Sequence, residues 1–369
     1  MNAVFDAAVI GGGPAGACTA LQLARRGCSV ALIERTRFDR PRVGETIDPA
    51  IRTVLEPLGL MERFRNANHP ACVGMRCRWG SDEPYDRSFL FDPHGHAWHV
   101  DRRAFDRMLF DAAVEAGAVP HEGTRLQSAR REGGEWRFEA STDRSATRTI
   151  RARFAVDASG RRAVLARRLG ARRAPPRSMV ATIAWFRLHR ESRPLPPITQ
   201  VDSSEDGWSY LAPQPESGAV LAHLGLPRFH EPAGATRAAL TQSRLWREFL
   251  QGSQLLSLHG CRAESSYLDA VAGDGWVAVG DAAFTVDPLS GDGVVRGILM
   301  SAAAARAVVG DLGGSRAALD DYCASVESCR RGYREPEIRF YARERRWPGR
   351  PFWSLTESSR SPRDGPARP

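Results

Sequence analysis

Asp6-Ala-Ala-Val-Ile10, then Gly11-Gly-Gly13-Pro14-Ala15-Gly16, a small-residue stretch to Gly27, and Ser29-Val-Ala-Leu-Ile33 closing on Glu34 read as strand, turn, helix, strand and acid. Gly11, Gly13 and Gly16 carry the G-x-G-x-x-G spacing. The first glycine permits a tight turn, the second lets backbone N–H groups approach a diphosphate, and the third lets the helix lie close on the strand. A helix start carries roughly half a positive charge, which favours an anion there. Glu34 stands about 20 residues on, where an acid accepts a ribose hydroxyl. The glycines alone would fit any tight strand-to-helix turn; with both strands, the helix and the acid in register they point to dinucleotide binding.

The chain has 369 residues, enough for two packed domains or one large one. No apolar run approaches the roughly 18 residues that span a bilayer, and the first strand begins too early for a secretory leader. Seven cysteines without a C-x-x-C pair point to neither a disulfide framework nor a zinc site, so the cytosol is the expected compartment. The net charge is +9, and all 52 basic residues are arginine, with no lysine. Nucleotide composition can produce that bias; a basic surface that attracts an acidic peptide, protein or carrier is the functional alternative. The arginines are scattered, with no basic helix or stacking module, which argues against nucleic acid.

Apolar spacing predicts helices over 49–60, broken by Pro57 and Gly59, over 102–117, ended by Gly117, and over 293–309, lined with Ala and Gly. Strands are expected at 136–140, 150–156, 179–188, 207–212, 218–224 and 276–279, with a turn at 213–217. Beyond Glu335 the chain is rich in Arg and Pro, and 358–369 is expected to be disordered. Strands alternate with helices at both ends while the middle is β-rich. The expected fold class is therefore α/β, a dinucleotide domain interrupted by a sheet domain.

Three further segments narrow the cofactor. Val156-Asp157-Ala-Ser-Gly160-Arg-Arg follows a strand; Val277-Ala-Val-Gly280-Asp281-Ala282-Ala283 puts an acid at a strand end; Asp287-Pro288-Leu-Ser-Gly291-Asp292-Gly293-Val294 opens the Ala-rich helix. In this order they resemble the flavoprotein hydroxylase superfamily, whose FAD domain is of the glutathione-reductase (GR2) type, a Rossmann-like fold. The resemblance implies non-covalent FAD. Asp281 would bond the ribitol, the Pro288, Gly291 and Gly293 backbone would lie against the isoalloxazine, and the helix start at Asp292 to Val294 would face its pyrimidine edge. Gly11, Gly13, Pro14, Ala15, Gly16, Glu34, Arg35, Asp157, Gly160 and Gly280 complete the expected cofactor contacts. The implied FAD domain comprises 1–72, 100–175 and 264–335, the substrate domain 73–99 and 176–263, and the basic tail 336–369.

Arg42-Val-Gly44-Glu45-Thr-Ile-Asp48-Pro49 resembles the G-E segment of the tryptophan-halogenase-like branch. Trp98-His-Val-Asp101-Arg102-Arg-Ala-Phe105-Asp106 resembles that branch's aromatic-x-x-D-R-x-x-F-D helix start, whose arginine contacts FAD, so Arg42, Gly44 and Arg102 join the cofactor set. Gly207-Trp208-Ser-Tyr210-Leu-Ala-Pro213 stands where halogenases carry W-x-W-x-I-P and prenyl reductases Y-x-W-x-F-P, and keeps neither box. Flavin halogenases relay hypohalous acid through a buried lysine, which this chain lacks and arginine cannot replace. The motif set is most similar to monooxygenases that hydroxylate a tryptophan of a partner polypeptide during quinone-cofactor maturation.

That resemblance implies that reduced FAD and O2 form a C4a-hydroperoxide, whose distal oxygen passes to an electron-rich aromatic, indole-like and carried on a peptide or carrier protein. Trp185, Trp208 and Tyr210 would wall the pocket or simply pack the core. Glu45, His99 and His223 are the candidate bases, in that order, and Glu45 also fits an FAD contact. Electrons would come from NAD(P)H or a partner flavin reductase, since Gly310-Asp-Leu-Gly-Gly314 follows no strand and reads as a helix stop. A prenyl-type alkene reductase and a flavoprotein partner without turnover are the alternatives. His94-Gly-His96-Ala-Trp-His99 looks like a metal box but lacks a carboxylate partner, and Ser290 lacks a nucleophile elbow; neither metal nor hydrolysis is expected.

Overall fold

The computed structural model describes residues 4–142, 147–174, 178–191, 193–227, 233, 234, 236, 239 and 243–358. They form two units. The first comprises Met1–His69, Val100–Pro176 and Ser265–Arg330, and the second Pro70–His99, Arg177–Glu264 and Arg331–Pro369.

In the first unit the strand Val4–Ile10 lies between two parallel neighbours, Val30–Glu34 and Thr147–Asp157. Val119–Glu122 extends the sheet beyond Val30–Glu34, and Trp276–Ala278 extends it beyond Thr147–Asp157. Val30–Glu34 is buried at every position, as an inner parallel strand covered on both faces must be. The helix Pro14–Ala24 packs against the helix Gly293–Leu312. A Cβ on Gly297 would meet the Cβ of Ala15 at 3.4 Å, and Gln22 Nε2 donates to Ser301 Oγ at 2.7 Å. Gly293–Leu312 is long and apolar enough to cross a membrane by length and composition, which the expectation of no such run missed. Half of its apolar window is buried within the protein.

Sequence reasoning also missed the strand Thr124–Glu132. It pairs antiparallel with Glu135–Thr142 across Gly133-Gly134, both at positive φ, the geometry of a two-residue hairpin turn. The expected helix over 49–60 shrinks to Ile51–Leu55.

The second unit is built on a seven-stranded sheet in the order Gln254–Arg262, Val180–Arg187, Gly218–Gly225, Gly207–Gln214, Thr199–Ser204, Gly74–Arg78 and Tyr85–Ser88. Gly207–Gln214 pairs with Gly218–Gly225, Trp208 opposite Leu224 and Ser209 opposite His223. The connecting turn is tighter than expected, with Glu216 and Ser217 both at φ 57°. Residues 336–358 are not a tail. The helix Ala317–Tyr341 continues through Pro336, and Pro351–Ser358 is helical. Tyr341, Phe352 and Trp353 are buried with Trp79 and Trp208. Residues 359–369, within the stretch expected to be disordered, lie outside the described residues.

Candidate functional site

The first unit gathers the expected cofactor residues at the carboxyl ends of its parallel strands. Gly11 has φ +113°, and a Cβ there would sit 2.2 Å from Ala158 O. A Cβ on Gly16 would lie 1.8 Å from Gly11 O, so the helix can approach the strand only without a side chain. Gly13 is open by contrast: a Cβ there would have Arg42 Nη1 nearest, at 3.9 Å. Pro14 occupies the first helical turn, which has no acidic residue and no side-chain cap among the described residues. Its N–H groups and the helix dipole therefore remain available to an anion.

Glu34 ends its strand 5% exposed. Its Oε1 accepts from Thr36 N at 2.9 Å, Thr36 Oγ1 at 2.6 Å and Arg42 Nη2 at 3.2 Å. Oε2 accepts from Gly12 N at 2.7 Å, which leaves this oxygen the better placed to take a ribose hydroxyl. Arg35, just beyond, is exposed. Arg42 Nη1 donates to Asp106 Oδ2 at 2.8 Å. Arg102 bonds the same carboxylate through Nε at 2.9 Å and Nη2 at 3.2 Å, and its Nη1 donates to Val43 O. Gly44, at φ +89°, makes room for that guanidinium: a Cβ would meet Arg102 Nη1 at 2.6 Å.

At the other end, Gly280 turns at φ +62°, and a Cβ on it would meet Ala15 Cβ at 2.7 Å. Asp281, its side chain 34% exposed, accepts from Arg296 Nη2 at 2.8 Å and pairs with Arg161 Nε at 3.8 Å. Arg173 braces the turn from behind, donating to Asp281 O at 2.9 Å and Ala282 O at 2.6 Å. Burial lowers its pKa to about 10. Pro288 starts a short 3-10 turn that ends at Gly291, and Ser290 Oγ donates to Asp292 Oδ1 at 2.7 Å. Gly291 and Gly293 are exposed and Val294 is half-buried, so the start of the long helix is accessible. Burial pushes the Asp292 carboxyl up.

Asp157 departs from expectation. It is fully buried, with Oδ1 accepting from Ser159 N and Oγ at 3.0 and 2.6 Å and Oδ2 from Leu165 N and Ala166 N at 2.9 and 2.8 Å. Its side chain caps the start of the helix Val164–Arg168 and has both oxygens taken, while the backbone of this segment, Ala158 against Gly11, lines the glycine turn. Gly160, at φ +68°, turns that backbone.

The expected catalytic residues are drawn from both units. Glu45 belongs to the first unit, His99, Trp208, Tyr210 and His223 to the second. Trp208 is 2% exposed and donates through Nε1 to Tyr341 Oη at 3.0 Å, so it is a core residue, not a pocket wall. Tyr210 is half-buried on the same sheet face as Trp208, as alternation requires. His223 projects from the opposite face, 2.9 Å from Ser209 Oγ through Nδ1, and cannot serve a pocket built on Tyr210. Glu45 is 1% exposed and its carbonyl accepts from Val100 N at 2.7 Å. His99 is fully buried, which lowers its pKa to about 4, so at neutral pH its ring is uncharged. Among the described residues no group of three or more His, Cys, Asp or Glu could hold a metal.

Thr36, Asp106, Arg173 and Arg296 had no expected role. Asp106 and Arg296 stand within or just after quoted motifs; nothing in the pattern points to Arg173.

Residues 4–327 match the FAD binding domain family, and the chain belongs to it. It is 28% identical to a Marinomonas mediterranea protein named as an FAD-dependent oxidoreductase, LodB, over 95% of this chain and 96% of that one. It is 29% identical to the 1H-pyrrole-2-carbonyl peptidyl-carrier-protein chlorinase of Pseudomonas fluorescens, over 79% and 72% of the two chains. The solved myxobacterial chondrochloren halogenase CndH superposes with a TM-score of 0.86 at 26% identity, covering 96% of this chain and 86% of that one. This is an FAD-dependent oxidoreductase with a halogenase-like fold. Halogenases, set aside on sequence for want of lysine, are thus prominent among its relatives.

Proposed function

We propose that this enzyme hydroxylates an electron-rich, indole-like ring carried on a peptide or carrier protein. The observation that carries this over halogenation is the complete absence of lysine. In the halogenase-like branch a buried lysine passes the halogen to substrate, and a guanidinium, always charged, does not take that part. Bound FAD, once reduced, supplies the activation of O2.

The residues of this chain bind and orient it. The Gly11–Gly16 turn with Arg42 takes the diphosphate, Glu34 Oε2 the ribose, Asp281 the ribitol, and the helix start at Gly293 offers its dipole to negative charge on the ring. On the substrate side Tyr210 and Trp185, both half-buried on one sheet face, offer an aromatic wall. Indole is already nucleophilic, so the reaction needs no strong base. That fits a His99 held neutral and a His223 on the far face. Electrons come from NAD(P)H or a flavin reductase. Seven free cysteines accord with a reducing compartment such as the cytosol.

Halogenation is the second possibility, favoured by the names of the chlorinase and CndH. The test supplies reduced FAD, O2 and bromide to the enzyme with an indole-bearing peptide or carrier. A product heavier by one oxygen, whether or not bromide is present, supports hydroxylation; a product with bromine's isotope doublet refutes it. Faster turnover of free indole than of any peptide removes the polypeptide substrate. The net charge predicts salt-sensitive association with an acidic partner, and salt-independent binding would count against that.

A further inference from the structure

We propose that Asp106 is the positioning residue of the diphosphate cradle, holding Arg42 and Arg102 in the one arrangement that receives the ligand. The proposal rests on the assignment of the first unit to FAD and extends it to a residue outside every expected contact.

Asp106 lies on the helix Arg102–Glu115, whose other buried residues are Phe105, Leu109, Phe110, Ala112 and Ala113. Its carboxylate is fully buried, and both oxygens are taken by guanidinium donors: Oδ1 by Arg102, Oδ2 by Arg102 and Arg42. A leucine would fill such a position at lower cost, because desolvating a carboxylate offsets most of what its ion pairs return. What the charge adds is geometry. Two guanidiniums side by side repel; sharing one carboxylate brings them together.

The arrangement is directional. Arg42 spends Nη1 on Asp106 and Nη2 on Thr36 Oγ1, at 2.8 and 2.7 Å, and so spans from the Glu34 carboxylate to the open side of Gly13. Arg102 spends Nε and Nη2 on Asp106 and Nη1 on Val43 O, pinning the loop that carries Arg42. Every one of these groups lies in the first unit.

Charge and positioning make opposite forecasts for Asp106→Asn. If the carboxylate acts only through its charge, removing it makes the site more positive and FAD binds more tightly. If it positions the arginines, FAD binds at least about 10-fold more weakly, the scale of one charge-assisted hydrogen bond. Flavin-free, full-length protein is titrated with FAD, ADP and riboflavin by flavin fluorescence and competition. Parallel loss for FAD and ADP, with riboflavin (which has no phosphate) changed less than about 2-fold, is the expected result. Unchanged or tighter FAD binding overturns the proposal, as does an equal loss for riboflavin, which would mark general damage to the fold.

Should Asp106→Asn fail to fold, Thr36→Val removes the other anchor of Arg42 from a half-buried position. It is expected to give the same FAD-selective loss on a smaller scale, and its absence overturns the proposal. Wild-type protein that takes up no FAD would instead remove the cofactor assignment, and the proposal with it.

Discussion

Glu344 ties the last part of the chain to the sheet of the second unit, and replacing it tests how much that tie contributes. Its side chain is fully buried. Oε2 accepts from Gly80 N at 2.8 Å, Ser203 Oγ at 2.5 Å and Arg346 Nη2 at 2.8 Å, and Oε1 from Arg346 N and Nε at 2.9 and 3.1 Å. Burial pushes the carboxyl up, but the hydrogen bonds from Arg346, Ser203 and Gly80 outweigh it and bring the pKa down from 4.5 to about 2. A shift of that size corresponds to ~3 kcal/mol, which the amide's own hydrogen bonds and solvent screening trim to ~2 kcal/mol for Glu344→Gln. A depressed carboxylate contributes fully above its unfolded pKa of 4.5, and the contribution is lost as the pH falls towards about 2. Urea unfolding followed by tryptophan fluorescence reads this unit directly, because Trp79, Trp208 and Trp353 pack together beside the tie. The gap between wild type and variant is expected to be ~2 kcal/mol near neutral pH, to narrow below pH 4.5 and to close only as the pH falls through about 2. A gap that stays constant with pH, or a variant more stable than wild type, would refute the electrostatic account.

His99→Gln is expected to flatten the acid limb of the same stability curve. The wild-type histidine must stay neutral when folded, so stability drains away between its unfolded pKa of 6.5 and its folded value of about 4, as thermal melts across that window will read. Gly16→Ala should abolish FAD uptake while the sheet survives, since its Cβ would sit 1.8 Å from the Gly11 carbonyl oxygen; a yellow protein with unchanged affinity would contradict the packing. Asp157→Asn should cost ~2 kcal/mol in stability and leave FAD affinity within about 2-fold, because the carboxylate caps a helix; a selective loss of FAD would restore it as a contact. Trp208→Phe should lower stability by ~1–2 kcal/mol through the lost bond to Tyr341, with a normal turnover rate for the protein that remains folded.

The nucleotide half of the site was legible because it is made of local backbone geometry. Gly11, Gly16, Gly44 and Gly280 are glycines for reasons of φ or clearance that any sequence with this turn must meet, so spacing alone finds them. Glu34 was legible for the same reason, since it ends an apolar run at a fixed distance from the turn. The arginine partners were not. Asp106 takes its role from Arg42, distant in sequence, and Arg173 from a carbonyl pair contributed by another segment. At Asp157 the motif did not reveal that the carboxylate caps a helix, because that depends on Leu165 and Ala166 folding back onto it. Trp208 and His223 could not be sorted from sequence, because the two-residue period of a strand shows that they face apart only once the pairing register is known. The chain beyond Glu335 read as a tail because arginine and proline hide the aromatic spacing of Tyr341, Phe352 and Trp353.

Both units draw on early and late stretches of the chain: the first needs residues 265–330 to complete its sheet and cover its leading helix, and the second needs those from 331 onward. Neither unit is therefore complete on a ribosome until its late stretch has been made, well after its first strands have emerged. Nascent chains halted short of Tyr341 would leave Trp79 and Trp208 uncovered, a ready target for chaperones and proteases.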